Sequence, residues 1–235
     1  MSLSGAAPVR YWVADATEVP VDDEWLTARE RELLARFQVR KRIKDWRLGR
    51  FTAKQAVASA LDEPKLDPRH VEIRPAKSGA PTAWSSGQRL PIEISLSHTG
   101  GRAMCTVSPL RRPVGCDLEK IESRARAFER DFFTEGELAW VDRVADEATR
   151  AGWVTLVWSA KESVLKALGE GLRLDTRDVE VEPPPVTRLP GTSWERFGAV
   201  VARASGAWFG WWRIDGSFAS TIATHAPSDP PVRLG

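Results

Sequence analysis

The strongest constraint on the fold is an internal repeat. Residues 52–61 (TAKQAVASAL) resemble residues 159–168 (SAKESVLKAL), and five of the ten positions are identical. A second pair of segments, 66–73 and 174–181, follows in the same order, and the offset between copies changes only from 107 to 108 residues. A repeated helix, turn and strand predicts two similar units that pack against each other. We therefore expect an α+β fold, built as a pseudo-twofold pair of similar α/β subdomains.

Residue patterns indicate the elements of each subdomain. Apolar residues recur at helical spacing over 45–61 and again around Val164, and the second helix should end near Gly169 or Gly171. A capping-box pattern at Thr134 predicts a further helix through about Ala148. Alternating apolar residues and turn residues predict short, mainly antiparallel strands, each sheet packed by one long helix. These strands are expected at 92–97, 103–108, 114–119, 196–204, 207–214 and 217–224.

The predicted domain boundary falls in the turn at residues 111–113. It divides the chain into an N-terminal subdomain, 1–112, and a C-terminal subdomain, 113–235. Because both walls of the cleft between these halves belong to one chain, we expect a monomer. Ligand sites favour such interfaces, so the cleft is the first place to look for function.

Composition narrows the classes of function. Lys and Arg number 34 against 32 Asp and Glu, and this balance argues against a dedicated nucleic-acid-binding protein. No apolar run reaches the length of a membrane span, and the first residues lack a signal-peptide pattern. The two cysteines, Cys105 and Cys116, are too few for a disulfide framework. We expect a cytoplasmic protein without a membrane or nucleic-acid partner.

The positions where the repeats differ point to chemistry. Gln55 of the first copy becomes Glu162 in the second, and Ser59 becomes Lys166. An acid and a base four residues apart share one helix face, where they could form an ordinary surface salt bridge. Asp117 and Glu119 alternate along a predicted strand and therefore point the same way. Paired carboxylates suit Mg²⁺, and Glu162 would supply a third, although a solvated strand face would show the same pattern.

Two further clusters could bind phosphate. Ser97 and His98 precede two glycines, a pattern compatible with phosphate binding or with a simple turn. A run of basic residues follows residue 39 and includes Arg42 and Arg50 on a predicted helix. Such a run is usually solvated, but one or two of its members could reach a phosphate.

Together these motifs resemble the phosphopantetheinyl transferases of the surfactin-synthetase-activating, or Sfp-like, type. The resemblance covers about residues 35–175, and its most specific part is the segment WSAKESVLK at 158–166. The other matching elements are Arg42 with Gly49-Arg50, Gly79-Ala80-Pro81, Ser97-His98 and the strand GCDLE at 115–119. Ser95 and Thr99 depart from the residues that are common in the family, Asn and Ser.

The resemblance implies transfer of the 4′-phosphopantetheine arm of coenzyme A to a serine of an apo-acyl or peptidyl carrier protein, with release of adenosine 3′,5′-bisphosphate. It implies Mg²⁺, or Mn²⁺, on Asp117, Glu119 and Glu162, with Glu162, Lys166 and Asp117 as the catalytic residues. It also implies that coenzyme A, as the substrate, contacts a wider set of residues. That set is Arg42, Arg50, Lys77, Ser78, Gly79, Pro81, Ser97, His98, Lys161 and Lys166.

The carrier is expected to be acidic. Residues 121–134 interleave Arg124, Arg126 and Arg130 with three phenylalanines, and we expect this segment to form part of the carrier-docking surface, unless the phenylalanines simply belong to the core. The family likeness favours carriers of secondary metabolism. Two alternatives stay open from the sequence: a non-catalytic module that binds a nucleotide or an acidic protein, and a metal-dependent phosphohydrolase.

Overall fold

The structure is a computed structural model that describes residues 8–61, 66–169, 174–184, 188–202 and 206–235. Five α-helices are present in these ranges: α1 Ala28–Leu34, α2 Arg40–Ala60, α3 Arg126–Phe132, α4 Glu135–Val141 and α5 Glu147–Leu168. The strands of the first half are β1 Arg10–Asp15, β2 Val71–Pro75, β3 Pro81–Ser85, β4 Gln88–Arg89, β5 Ile92–Thr99 and β6 Arg102–Pro109. Those that follow are β7 Val114–Lys120, β8 Val179–Val181, β9 Glu195–Val201, β10 Ala207–Asp215, β11 Phe218–Thr224 and β12 Val232–Arg233.

The sheets repeat one arrangement in the two halves. In the first half the strands follow the order β12-β1-β6-β5, and in the second β7-β11-β10-β9-β8. The order β1-β6-β5 thus corresponds to β7-β11-β10, and all of these neighbours are antiparallel. Strands β2, β3 and β4 form a separate antiparallel sheet in the first half. The mixed α+β class with small antiparallel sheets is confirmed.

One long helix packs against the sheet in each half. Helix α2 buries small residues such as Ala53 and Ala56, which lets it lie close to the strands of the first half. Helix α5 is buried over most of its length in the larger core of the second half, around Trp153 and Trp212. It ends where Gly169 adopts a left-handed conformation (φ 74°), which confirms the first of the two predicted end points; Gly171 lies outside the described residues.

The repeat extends beyond the matched sequence segments to a buried ion pair. The Lys54 ammonium lies 2.7 Å from a Glu30 carboxylate oxygen, and the Lys161 ammonium lies 2.6 Å from that of Glu137. Each glutamate also closes a capping box, with Thr27 in α1 and Thr134 in α4. All four charged side chains are buried, so each pair fixes a short helix to the long helix of its half.

The helix predicted from Thr134 to about Ala148 is shorter than expected. Helix α4 ends at Val141, and a new helix begins after Asp146, whose carboxylate accepts a hydrogen bond from the backbone of Thr149. The N-cap at Asp146 therefore starts α5 as a separate helix. The other predicted strands and helices are present; α2 begins at Arg40, five residues earlier than predicted, and the predicted end of the strand at 196–204 lies outside the described residues. Within the described residues, no helix has the length and apolar character needed to cross a membrane.

Candidate active site

The site lies at the seam between the halves, where β5 of the first half runs beside β7 of the second. Two hydroxyl groups of β5 reach across this seam. Ser95 Oγ accepts a hydrogen bond from the backbone N–H of Cys116 (3.0 Å), and Ser97 Oγ donates one to Asp117 Oδ1 (2.8 Å). Both serines are buried, and so is Asp117. A hydroxyl group of the first half thus holds the Asp117 carboxylate at the seam.

Helix α5 packs closely against β7 and also reaches Asp117. A Cβ atom added to Gly115 would lie 1.8 Å from the carbonyl oxygen of Ser163, so only glycine permits this approach of strand and helix. The approach brings Lys166 Nζ to 2.6 Å from Asp117 Oδ1 and to 3.2 Å from the carbonyl oxygen of Cys116. Burial lowers the pKa of the Lys166 ammonium, but the neighbouring acidic groups, Asp117 foremost, together raise the pKa above its usual value. Lys166 is therefore a fixed cation beside Asp117.

Glu162 lies one turn before Lys166 on the same helix. Its Oε1 atom is buried and has no hydrogen-bond partner among the described residues. Burial raises the pKa of Glu162, and the charges of Asp117 and Glu119 raise it further against the opposing effect of Lys166. A carboxylate in this environment readily takes up a proton or a cation.

Glu119 faces a different set of partners. Arg124 Nη2 lies 3.2 Å from one of its oxygens, and the indole N–H of Trp158 donates to the other at 3.2 Å. The side chain is one quarter exposed. Burial and the charge of Asp117 raise the pKa of Glu119, although Arg124 and Trp158 oppose that change. Both carboxylate oxygens are thus engaged by groups of the protein itself.

The chemistry of these three carboxylates fits a hard divalent cation. Asp117 Oδ2 and Glu162 Oε1 are both buried without a hydrogen-bond partner, and unpartnered carboxylate oxygens of this kind are stabilised by a bound cation. The ranges that the structure describes hold no group of three acidic, His or Cys side chains arranged as a finished metal site. Asp117 and Glu119 raise the pKa of Glu162 and so lie near it, but Glu119 pairs with Arg124, and the three predicted ligands are not gathered around one centre.

A cavity of about 320 Å³ adjoins this cluster. One wall is the turn at Ser78, Gly79 and Pro81, where Gly79 has a positive φ of 91° that other residues rarely adopt. The opposite wall carries Lys166 and Gly169 at the end of α5, and β5 forms the floor. The cavity thus joins three of the residues predicted to bind coenzyme A to a predicted catalytic residue. Lys77, in the same turn, is exposed.

Other predicted phosphate ligands follow the face of α2 that meets β5. The His98 ring lies beside Gly49, 3.9 Å from the position of an added Cβ atom, and His98 is exposed. Arg42 lies two turns before Gly49, hence on the same face and about 10 Å away along the helix axis. It is exposed, and its guanidinium covers the Phe37 ring at 4.6 Å. Arg42 and His98 can therefore both reach a ligand that runs along this face.

Two predicted ligands point elsewhere. The Arg50 guanidinium covers the Trp46 ring at 4.7 Å, and its Nε lies 3.9 Å from Glu30, inside the ion cluster of the first half. Burial lowers the pKa of Arg50. Lys161 is fully buried between Glu137 and the carbonyl oxygen of Val179, so its ammonium has no route to a bound phosphate. The sequence placed both in the cofactor site; the structure gives both an internal role instead.

The segment predicted to dock the carrier is partly internal. Phe133 is buried, whereas Phe128 and Phe132 pack on Trp158 at ring-centroid distances of 5.0 and 5.1 Å. Arg126 pairs with Glu129 and Asp142. Arg130 is exposed, so it is the arginine of this segment that the structure leaves best placed for an external partner.

Sequence reasoning gave no role at the site to Ser95 or Trp158, and it assigned Ser97 to coenzyme A rather than to Asp117. Ser95 and Ser97 act across the seam through hydrogen bonds, and Trp158 holds Glu119. The alternation of Ser95 and Ser97 along a strand was the available signal, because it places both hydroxyls on one face. Nothing in the sequence indicated which face meets the other half.

Comparison with known proteins agrees with these features. Residues 113–202 match the family model of the 4′-phosphopantetheinyl transferase superfamily. The human L-aminoadipate-semialdehyde dehydrogenase-phosphopantetheinyl transferase is 27% identical over 193 residues, which cover 76% of this chain and 61% of the relative. A 4′-phosphopantetheinyl transferase of Bacillus subtilis is 27% identical over 151 residues, 63% of this chain and 62% of the relative.

The chain thus spans about three fifths of the length of these relatives. The holo-[acyl-carrier-protein] synthase of Thermotoga maritima superposes with a TM-score of 0.36 at 22% sequence identity, over 55% of this chain and 75% of that one. The relatives are named for one transfer reaction, and the family model covers β7, α5, β8 and β9. Residues 113–202 of this chain are thus similar to the 4′-phosphopantetheinyl transferase superfamily.

Proposed function

We propose that this protein transfers the 4′-phosphopantetheine arm of coenzyme A to a serine hydroxyl of an apo-carrier protein and releases adenosine 3′,5′-bisphosphate. The observation that carries the proposal is the position of Lys166, which lines the cavity and also pairs with Asp117 at 2.6 Å. The Lys166 ammonium thus lies between the cavity, which has space for a ligand, and the acidic cluster beside it. The similarity of residues 113–202 to the 4′-phosphopantetheinyl transferase superfamily supports the same reaction.

Glu162 is the proposed general base. In the reaction the serine oxygen forms a bond to the phosphorus next to the pantetheine arm, and the bond from that phosphorus to the oxygen of the second phosphate breaks. The serine proton passes to a Glu162 carboxylate oxygen, and the leaving group carries away the bonding electrons. Glu162 suits this role because it is half-buried, has an unpartnered oxygen and has a raised pKa. Lys166 stabilises the negative charge that develops on the diphosphate.

Asp117, Glu119 and Glu162 are the proposed ligands of Mg²⁺, or of Mn²⁺. When bound, such an ion neutralises diphosphate charge and orients the phosphorus for in-line attack. Asp117 is held for this role by Ser97 and Lys166, which both contact its Oδ1 and leave its Oδ2 without a partner. We therefore propose that the two oxygens of Asp117 have different roles: Oδ1 fixes the side chain, and Oδ2 is available to the cation.

Coenzyme A is proposed to lie in the cavity, with its 3′-phosphate towards His98 and Arg42. The turn at Ser78, Gly79 and Pro81 has no bulky side chain against the cavity, which suits close approach of a flat adenine ring. Lys77 in the same turn is exposed and could pair with a phosphate. Arg50 and Lys161 are left out of the proposed site, because both are engaged in internal ion clusters.

The proposed partner is an acidic carrier protein that docks beside α3, where Arg130 is exposed. A carrier of secondary metabolism and action as a cytoplasmic monomer are part of the same proposal. Because Arg130 has an exposed side chain outside the acidic cluster, Arg130→Glu should raise the carrier KM several-fold and leave the coenzyme A KM unchanged. An unchanged carrier KM would move the docking surface away from α3.

One assay tests the proposed reaction against its alternatives. The protein is mixed with coenzyme A, Mg²⁺ and an apo-carrier protein, and the carrier is weighed by mass spectrometry. A gain equal to the phosphopantetheine arm, lost when the metal is chelated, supports the proposal. Inorganic phosphate without a gain in carrier mass indicates a phosphohydrolase. No change in carrier mass or phosphate, with coenzyme A bound, indicates a binding module.

A further inference from the structure

A second cavity lies at the turn that joins the two halves. It has a volume of about 120 Å³, and it shares no lining residue with the cavity that Lys166 borders. Its walls come from three parts of the chain. These are the residues before β1 together with the end of β6, the joining turn at 111–113, and the segment 224–226 at the end of β11. The proposed transfer reaction gives this cavity no role.

The charged side chains that line this cavity are all basic. They are Arg111, Arg112 and His225, and no carboxylate of the described residues lines it. Arg111 and His225 are exposed, and neither takes part in an ion pair among the residues that the structure describes. The His225 ring packs edge-on against Trp208 at a ring-centroid distance of 5.2 Å, which fixes its orientation. The Glu93 carboxylate accepts a hydrogen bond from the backbone N–H of Arg111 (3.4 Å) but forms its ion pair elsewhere.

The turn holds the backbone of Arg111 in an unusual conformation. Its φ is 65°, in the left-handed region that few residues other than glycine adopt. Backbone hydrogen bonds fix the turn on both sides of this residue. The N–H of Leu110 donates to the carbonyl oxygen of Pro91, and the N–H of Arg112 donates to that of Pro109, both at 3.1 Å. The long basic side chain of Arg111 therefore starts from a fixed point at the cavity.

The hydroxyl groups of the cavity already donate to the protein itself. Ser108 Oγ donates to the carbonyl oxygen of Arg112 (2.6 Å), and Thr224 Oγ1 donates to that of Ala226 (2.7 Å). A ligand is therefore met by the N–H donors of the basic side chains, which bind anions through charge-assisted hydrogen bonds. Pockets for cofactors and drug-sized ligands usually exceed about 300 Å³, so an anion that fits here must be small.

We propose that this cavity binds one small oxyanion, such as inorganic phosphate, with Arg111, Arg112 and His225 as the donors. The inference does not depend on the proposed function. Because the donors belong to the joining turn and to the second half, and the other walls to the first half, the bound anion links the two halves. An anion that binds only the folded chain also stabilises it by mass action. The concentration of inorganic phosphate thereby sets part of the stability of this protein.

Thermal unfolding of the full chain in phosphate tests this inference. Sodium phosphate replaces sodium chloride at constant pH and ionic strength. About 20 mM phosphate should raise the wild-type melting temperature by about 4 °C, as expected for a dissociation constant of about 1 mM. Arg111→Gln and His225→Gln should each weaken binding about tenfold and reduce the shift to below about 2 °C. Arg143→Gln is the matched control, because it removes the same charge from an exposed residue outside the cavity, and it should keep the wild-type shift.

The variants separate this cavity from other effects of phosphate. Phosphate stabilises many proteins by exclusion from their surfaces, and it can also enter the cavity at Lys166, but both effects are the same in wild type and Arg111→Gln. An unchanged shift in Arg111→Gln or in His225→Gln would overturn the inference. The absence of a shift in wild type would do so too, as would an equal loss of the shift in Arg143→Gln. Circular dichroism and the unfolding midpoint in chloride check that each variant is folded.

Discussion

The Glu162 side chain is half-buried, has one oxygen without a hydrogen-bond partner and has two acidic neighbours, Asp117 and Glu119. Those properties make it reactive, and they also make it costly for the folded state. A carboxylate whose pKa is raised by its surroundings is less stable in its charged form than it would be in water. The site therefore keeps a destabilising group in place, as catalytic centres commonly do.

Replacement of Glu162 should separate stability from activity. Glu162→Gln keeps the shape of the side chain but removes the charge that Asp117 and Glu119 oppose. In metal-free buffer we expect the melting temperature to rise by up to about 3 °C, while phosphopantetheine transfer falls below detection. Differential scanning calorimetry and the carrier mass assay measure the two effects. A variant that loses stability, or retains transfer, would contradict the role given to Glu162.

The two lysines of the second repeat show the limit of sequence reasoning at this scale. Lys161 and Lys166 lie five residues apart in one motif, and both were predicted to contact coenzyme A. Lys166 does border the cavity, but Lys161 pairs with Glu137 in the core. The difference depends on α4, whose Glu137 lies 24 residues away from Lys161. No local pattern reveals such a long-range partner.

Elements are held together by the duplicated ion pairs. In the second half, Glu137 also accepts a hydrogen bond from the backbone of Val181 at 2.8 Å, so one carboxylate links α4, α5 and β8. In the first half, Glu30 does the same for Ile73 at 3.1 Å. The two halves therefore share a structural lock that is independent of the catalytic residues.

The lock gives a paired stability prediction. Lys161→Met and Lys54→Met each leave a buried glutamate without its cation, and each should destabilise the protein by about 3–5 kcal/mol in urea unfolding. The double variant Glu137→Gln, Lys161→Met should recover part of the loss. Where Lys161→Met remains folded, its KM for coenzyme A should be unchanged. A rise in that KM alone would show that Lys161 contributes to coenzyme A binding after all.

Gly115 tests the contact between strand and helix. Gly115→Ala places a Cβ atom 1.8 Å from the Ser163 carbonyl oxygen, so α5 must move away from β7 or the protein must unfold. We expect a loss of at least about 3 kcal/mol of unfolding free energy, and loss of transfer because Glu162 and Lys166 move away from Asp117. Gly191→Ala is the control, since an added Cβ atom there meets nothing within 4 Å. Similar stabilities of the two variants would contradict the close approach.

Periodicity predicted the elements well because it depends only on local spacing. The long helices and the strands β5, β6, β7, β9, β10 and β11 follow from apolar recurrence and turn residues, whereas β1, β3, β4 and β12 were not predicted. The single long helix expected after Thr134 was wrong, because Asp146 begins a new helix. The seam hydrogen bonds of Ser95 and Ser97 depend on how the halves meet, and spacing along one chain carries no information on that.

At the scale of the whole molecule, the repeat predicted two similar halves, and the matching strand orders show them. The predicted boundary between 112 and 113 lies at the turn between β6 and β7, where it stays a prediction. The halves are not separated along the whole chain, however. Strand β12 runs parallel to β1, with backbone hydrogen bonds from Val232 to Val9 and from Leu234 to Tyr11.

Because of this pairing, we expect the covalent link at residues 111–112 to be dispensable for holding the molecule together. A protease cut in that turn would leave two fragments that still share a sheet through β12 and a buried seam through β5 and β7. The pieces should elute as one particle under native conditions and part only in denaturant. For the same reason, two separate chains that divide at this turn should still assemble with the cleft between them.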